Sequence, residues 1–131
     1  MKLATWDDVS SFVRSNWPVA GEVEGFLTVE FGTGEGRTQM TGIRLMSGGT
    51  EPRLRIESQF GFEGDLDPAA ALKMNGVLPL GAIAADEDGR LIYAHSMMLG
   101  TLDLASLDIA LKTIAFYADQ LEQHRSIDDR Y

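Results

Sequence analysis

The chain has no cysteine, which removes disulfides, thiolate metal sites and a cysteine nucleophile at once. Histidine is scarce: His95 and His124 are the only two. A protein-only zinc site would therefore need carboxylates that no local spacing supplies. Basic residues are few, 11 Lys and Arg against 20 Asp and Glu, for a formal charge of -9. That sign disfavours the nucleic-acid backbone and anionic membranes as partners. No run approaches the ~18–20 apolar residues of a membrane span. The opening MKLATWDDVS lacks the apolar stretch of a signal peptide. These absences lead to an expectation of a cytoplasmic protein that binds neither nucleic acid nor membrane.

Catalytic signatures are missing as well. There is no G-x-S-x-G, and Ser96, beside His95, points to the opposite face of its strand, so the two do not form a nucleophile–base pair. The glycines of GTGEG (32–36) resemble a phosphate loop by composition only. A strand rather than a helix N-terminus follows them, and Glu35 repels phosphate. The Asp86-Glu87-Asp88-Gly89 cluster is too short for a calcium loop and enters a strand, so it reads as a solvated turn. The expectation is a protein without enzymatic activity, cofactor or metal.

What is present suits one globular domain over 1–131. The chain is 44% hydrophobic and 24% charged, far from a disordered composition. Thr5–Asn16 reads as a helix capped by Thr5, with Asp7 and Asp8 in its first turn and Pro18 ending it. Three alternating strands follow, Glu22–Phe31, Arg37–Met46 and Arg53–Phe60, joined by the glycine-rich GTGEG and SGGTEP. Phe26 falls on the acidic face of the first. Asp67-Pro68 opens a short helix that stops at Asn75-Gly76, with Gly76 as a left-handed cap. Its run of alanines, Ala69 to Ala71, leaves room for another backbone. Ala82–Ala85 and Leu91–Leu99 form a hairpin about the 86–89 turn, and Asp103 or Ser106 caps a final long helix. The tail over 126–131 is polar and expected to fray.

The order α-β-β-β-α-β-β-α implies an α+β fold. The expectation is a five-stranded antiparallel sheet with the N- and C-terminal helices packed on one face. On the last helix, Leu107, Ala110, Leu111, Ile114, Ala118 and Leu121 form one stripe at 100° steps, while Asp108, Lys112, Asp119 and Glu122 lie away from it. Ile109 and Phe116 lie almost opposite the stripe. Either the first helix or a loop covers them, or they meet a subunit or a client. His124 sits in the last turn, where the helix dipole favours a cation. Arg37, Arg44, Arg53 and Arg55 concentrate four of the 11 basic residues in the middle strands. Pairing with Glu22, Glu24, Glu30 and Glu57 across strands is the first reading; an anchor for an acidic partner is the other. Met97 and Met98 suit gap filling and equally an adaptable contact surface.

The pattern LPLGAIAADEDGRLIYAH, then MMLGTLD, then a long helix, resembles the type III secretion chaperone-like family, in particular its YbjN-type members. Residues 79–122 carry the match: an apolar strand, an acidic D-x-D-G turn, a second strand and an aspartate-capped helix. The resemblance implies a small homodimer that holds an extended segment of a client polypeptide on exposed apolar patches, without cofactor or turnover. It also implies a dimer contact through the short middle helix. Candidate contact residues are Phe26, Ala70, Ala71, Met97, Met98, Ile109 and Phe116. Two alternatives remain. One is a small-ligand-binding or enzymatic domain with a pocket near Tyr93 and His95. The other is a structural or regulatory subunit of a larger complex.

Overall fold

A computed structural model describes residues 2–3, 5–49 and 51–128, with side chains over 5–49 and 51–123. The expected fraying of the tail and the placement of the His124 side chain lie outside the described residues, although the last helix is described to Asp128. In chain order the elements are β1 (Lys2–Leu3), α1 (Trp6–Asn16), β2 (Val19–Val23), β3 (Phe26–Gly34), β4 (Arg37–Met46), β5 (Arg53–Phe62), α2 (Pro68–Asn75), β6 (Ala82–Ala85), β7 (Arg90–Met98), β8 (Leu102–Asp103) and α3 (Leu104–Asp128). A single 3₁₀ turn, Leu99–Thr101, separates β7 from β8.

The fold is α+β, but the main antiparallel sheet has six strands rather than five, in the order β2-β3-β4-β5-β7-β6. The expected element order is corrected with it. The single strand expected over Glu22–Phe31 is two strands with a tight turn at Glu24-Gly25. Gly25 has φ +73°, the left-handed value that glycine adopts without steric cost. No alternation marks the hairpin in β2, where only Val19 is half-buried and the four residues after it are exposed. A second, two-stranded sheet joins β1 to β8, pairing Leu3 with Leu102 and tying the start of the chain to the entry of α3. Strand β7 lies between β5 and β6, so the last hairpin adds its second strand to the sheet first.

One face of the sheet carries the core. Leu27 pairs with Ile43 and Ile43 with Ile56, and all three side chains are fully buried. The α3 stripe Leu107, Ala110, Leu111, Ile114, Ala118 and Leu121 packs on this face, joined by Val9 and Val13 of α1. Each fully buried aliphatic side chain here contributes roughly 1.5–3 kcal/mol. Trp17 leaves α1 in extended conformation before Pro18 and sets its ring 5.1 Å from that of Phe31. This contact and Phe12 against Trp17 anchor the end of α1 over the core.

Local caps hold the helices as their sequences suggest. The Thr5 hydroxyl accepts from the Asp8 amide at 3.2 Å, Asp67 from Ala70 at 3.2 Å and Asp103 from Ser106 at 2.8 Å. Asp103, not Ser106, is thus the cap of α3, and these bonds from Ser106 hold its carboxyl below the ordinary range. Gly76 is a correction: its φ of -73° is right-handed. α2 tightens instead of reversing, with Gly76 donating to Lys73 and Val77 to Met74.

Candidate binding surfaces

α3 meets the core with one face and leaves apolar groups on another. Ile109 is 59% exposed and Phe116 46%. Neither α1 nor a loop of the described residues covers them. Phe116 packs edge-on against Tyr117, with ring centroids 5.5 Å apart. It also lines a shallow cavity of about 370 Å³ with Phe31, Thr33, Lys112 and Ala115. Between the two apolar residues Lys112 reaches back to Asp108 at 3.0 Å, an i,i+4 pair that leaves the patch flanked by neutralised charge.

The other candidates lie in three different places. Phe26 sits on the sheet face away from α3, half-buried, with the Arg44 guanidinium 4.4 Å from its ring centroid. The ring lies over Gly42, where any added Cβ would meet it at 2.8 Å. Met98 faces the same side and is 43% exposed. Met97 faces the opposite way, opposite Leu54, and packs half-buried against the core. Ala70 and Ala71 are half-buried on α2. Ala71 lines a cavity of about 880 Å³ with Leu66, Leu72, Ile83 and Leu91. The seven residues therefore do not form one surface.

Three features were not anticipated. Leu72 and Val77, at the end of α2 and just beyond it, are 73% and 82% exposed. Their apolar character was visible, but a helix this short has no periodicity to assign a face. The second is a side chain standing in for a strand. The Ile83 amide donates to Asn75 Oδ1 at 2.7 Å, and Asn75 Nδ2 donates to the Ile83 carbonyl at 3.3 Å. The Asn75 amide thus makes the two bonds that a peptide group of a neighbouring strand would make, closing the β6 edge at Ile83 to strand addition. At the opposite edge, the acidic Glu22 and a bulge between Val19 and Gly21 blunt β2. Glu22 is also engaged by Arg14 of α1.

The third is an ion pair at the sheet–helix junction. Asp119 is only 3% exposed, although helical spacing sets it away from the core stripe of α3. Arg37 holds it through Nη2 at 2.8 Å and Nε at 3.2 Å, and Gln123 adds a bond at 2.9 Å. The hydrogen bond from Arg37, above all, keeps the Asp119 carboxyl below its ordinary range. Arg37 therefore pairs with a helix rather than with a strand glutamate. Arg44 follows the cross-strand reading by reaching Glu57 of β5, whereas Arg55 reaches the same carboxylate along its own strand.

Tyr93 is fully buried and its hydroxyl donates to the Leu80 carbonyl. Desolvation raises its pKa. His95 is half-buried on the same inward side, and desolvation lowers its pKa. Neither lines any of the cavities described here. The 86–89 turn is organised by Asp86, whose Oδ1 accepts from the Asp88 and Arg90 amides at 2.9 Å each. That carboxylate is spent on its own backbone. Among the described residues no group of three or more histidines and carboxylates is placed to hold a metal. Among them, too, no helix is long and apolar enough to cross a membrane. No family model matches the chain, and no curated protein matches it.

Proposed function

We propose that this chain is a non-enzymatic protein- or peptide-binding module, chaperone-like in the manner of the type III secretion chaperone-like, YbjN-type proteins it resembles. It acts in the cytoplasm as a homodimer and holds a client polypeptide segment on exposed apolar side chains. The observation that carries this reading is α3, which commits one face to the core and still presents Ile109 and Phe116 to solvent. An exposed apolar pair on a helix that is already fully packed adds nothing to the fold of one chain. It gains only by being covered. The blunted sheet edges turn the client away from strand addition and towards side-chain contacts.

The test is the double substitution Ile109→Asp with Phe116→Asp. Neither side chain belongs to the buried core, so the variant keeps its fold, with a loss of about 1–2 kcal/mol from helix propensity and the Phe116–Tyr117 ring contact. Light scattering then reports a monomer where the native chain is a dimer, and pull-down from native lysate loses the client. A variant that unfolds places both residues in the core. A folded variant with unchanged mass and unchanged partners removes the α3 surface from the proposal.

A further inference from the structure

Among the described residues no helix lies over the second face of the sheet, and its residues are ordered in rows by the strand register. Phe26 pairs with Arg44, Arg44 with Arg55 and Arg55 with Ser96, making one row across four strands. Met46, Arg53 and Met98 make the next row. Gly42, Glu57, Ala94 and Ala82 make the row on the other side. Two guanidiniums thus share one carboxylate, and a third, that of Arg53, lies in the neighbouring row. Glu57 takes Arg44 at 3.0 Å and Arg55 at 3.6 Å, and its side chain is only 18% exposed. Arg53 donates to the Gly48 carbonyl at 3.0 Å. No second carboxylate lies in these rows; Glu24 stands to one side, lining a cavity with Phe26 and Arg44.

We infer that this face binds an acidic segment of a polypeptide in which apolar residues separate the carboxylates. The charge argument is local. In a chain of formal charge -9 with only 11 basic residues, setting three arginines in two adjacent rows, with one glutamate shared by two of them, leaves positive charge at one spot on an otherwise acidic molecule. Guanidiniums offer paired N–H groups in the geometry a carboxylate accepts, and one glutamate cannot use those of two arginines. Glu57 holds Arg44 and Arg55 side by side, and the Phe26 ring supports Arg44 from beneath. The fork is therefore pre-positioned, which lowers the entropy lost on binding. Met98 and Met46 border Arg53, and flexible thioethers accommodate apolar side chains of varied shape. A polyanion such as a nucleic acid meets the repulsion of the whole chain, while a short acidic segment contacts this patch alone. The surface is separate from Ile109 and Phe116 and stands whether or not those residues bind a client.

The experiment is fluorescence anisotropy with labelled ten-residue peptides of glutamate, leucine and serine, and with matched peptides in which lysine or glutamine replaces glutamate. The glutamate peptide binds best and weakens as salt rises. Arg44→Ser with Arg55→Ser weakens it at least tenfold. Because that variant strands Glu57, a second variant adds Glu57→Gln, with thermal melting to verify the fold, and shows the same loss. Replacing both arginines by lysine keeps the charge and still weakens binding severalfold. Ile109→Asp with Phe116→Asp binds the peptide as the native chain does. Equal binding of the lysine peptide, or unchanged binding in the arginine variants, overturns the inference. So does full competition by inorganic pyrophosphate, which would mark a small-anion site. A salt-sensitive dimer abolished by the arginine substitutions would make the occupant a second copy and overturn it equally.

Discussion

The two faces of the six-stranded sheet are built by the same strands and obey different rules. On the inner face Leu27, Ile43 and Ile56 stand side by side, fully buried beneath α3. Their neighbours are interchangeable in chemistry and fixed in volume. One position away along the same strands, the outer face sets Phe26 beside Arg44 and over Gly42, with Glu57 beyond. Among the described residues no helix covers this face, and Phe26, Arg44 and Glu57 are held by particular partners. The inner face therefore answers to how much is filled. The outer face answers to which groups meet. Substitutions should separate the two, with large effects of volume inside and small, pair-specific effects outside.

The largest effect is expected at the centre of the inner layer. Leu111 is fully buried on α3, and Leu111→Ala removes three carbons from a site closed by the sheet. The loss is about 2–5 kcal/mol, measured as a fall in the urea midpoint at unchanged slope. A loss below about 1 kcal/mol would mean that α3 packs loosely and that the contrast between the faces is overstated. Asp119→Asn comes next, at the rim where the inner layer meets charge. Its folded-state pKa is lowered, so its contribution is present above the ordinary carboxylate value of about 4 and is lost as pH falls through the folded-state value. The variant is less stable than the native chain at pH 7, by less than Leu111→Ala. The gap narrows when both are melted at progressively lower pH below about 4. An equal gap at every pH would show that shape, not charge, holds Arg37 and Gln123 in place.

The inner face was the legible one. Alternation in β3 and β5 and the 3.6-residue stripe of α3 name most of the buried residues, because burial on one side is what selects such patterns. Caps at Thr5, Asp67 and Asp103 were legible for a different reason: each bond spans three residues. The β2–β3 hairpin was not legible, since β2 is an exposed edge with no pattern to impose. The position of β7 between β5 and β6 is a long-range choice. Helical spacing sets Asp119 away from the α3 stripe, and its main partner, Arg37, is 82 residues away. Asn75 carried the signature of a helix end, and nothing local announces that its amide will serve a strand eight residues later. For the candidate surfaces, helical spacing placed Ile109 and Phe116 off the core face. It could not say that they stay uncovered, because that depends on where α1 goes. Phe26 broke the alternation of its strand, and the break marked a contact whose partners, Gly42 and Arg44, come from the next strand.

The smallest effect tests that contact. Gly42 is buried on the outer face, and its cover is the Phe26 ring. In Gly42→Ala the new Cβ would stand 2.8 Å from two carbons of that ring, closer than packed carbons approach. The obstacle is the end of a half-buried side chain rather than backbone, so the ring swings aside and the strand survives. The ring loses its shelf and its place beneath the Arg44 guanidinium, a contact worth about 0.5–1 kcal/mol at an exposed site. Alanine recovers part of that loss through its lower backbone entropy. The net result is a destabilisation of under about 1 kcal/mol, with a clear shift of the Arg44 Nε–H resonance as the ring leaves. A loss as large as that of Leu111→Ala would mean that the outer face is as tightly filled as the inner one. An unmoved Arg44 resonance would mean that the ring and the guanidinium were never a pair, and that Glu57 alone orders the arginines of this face.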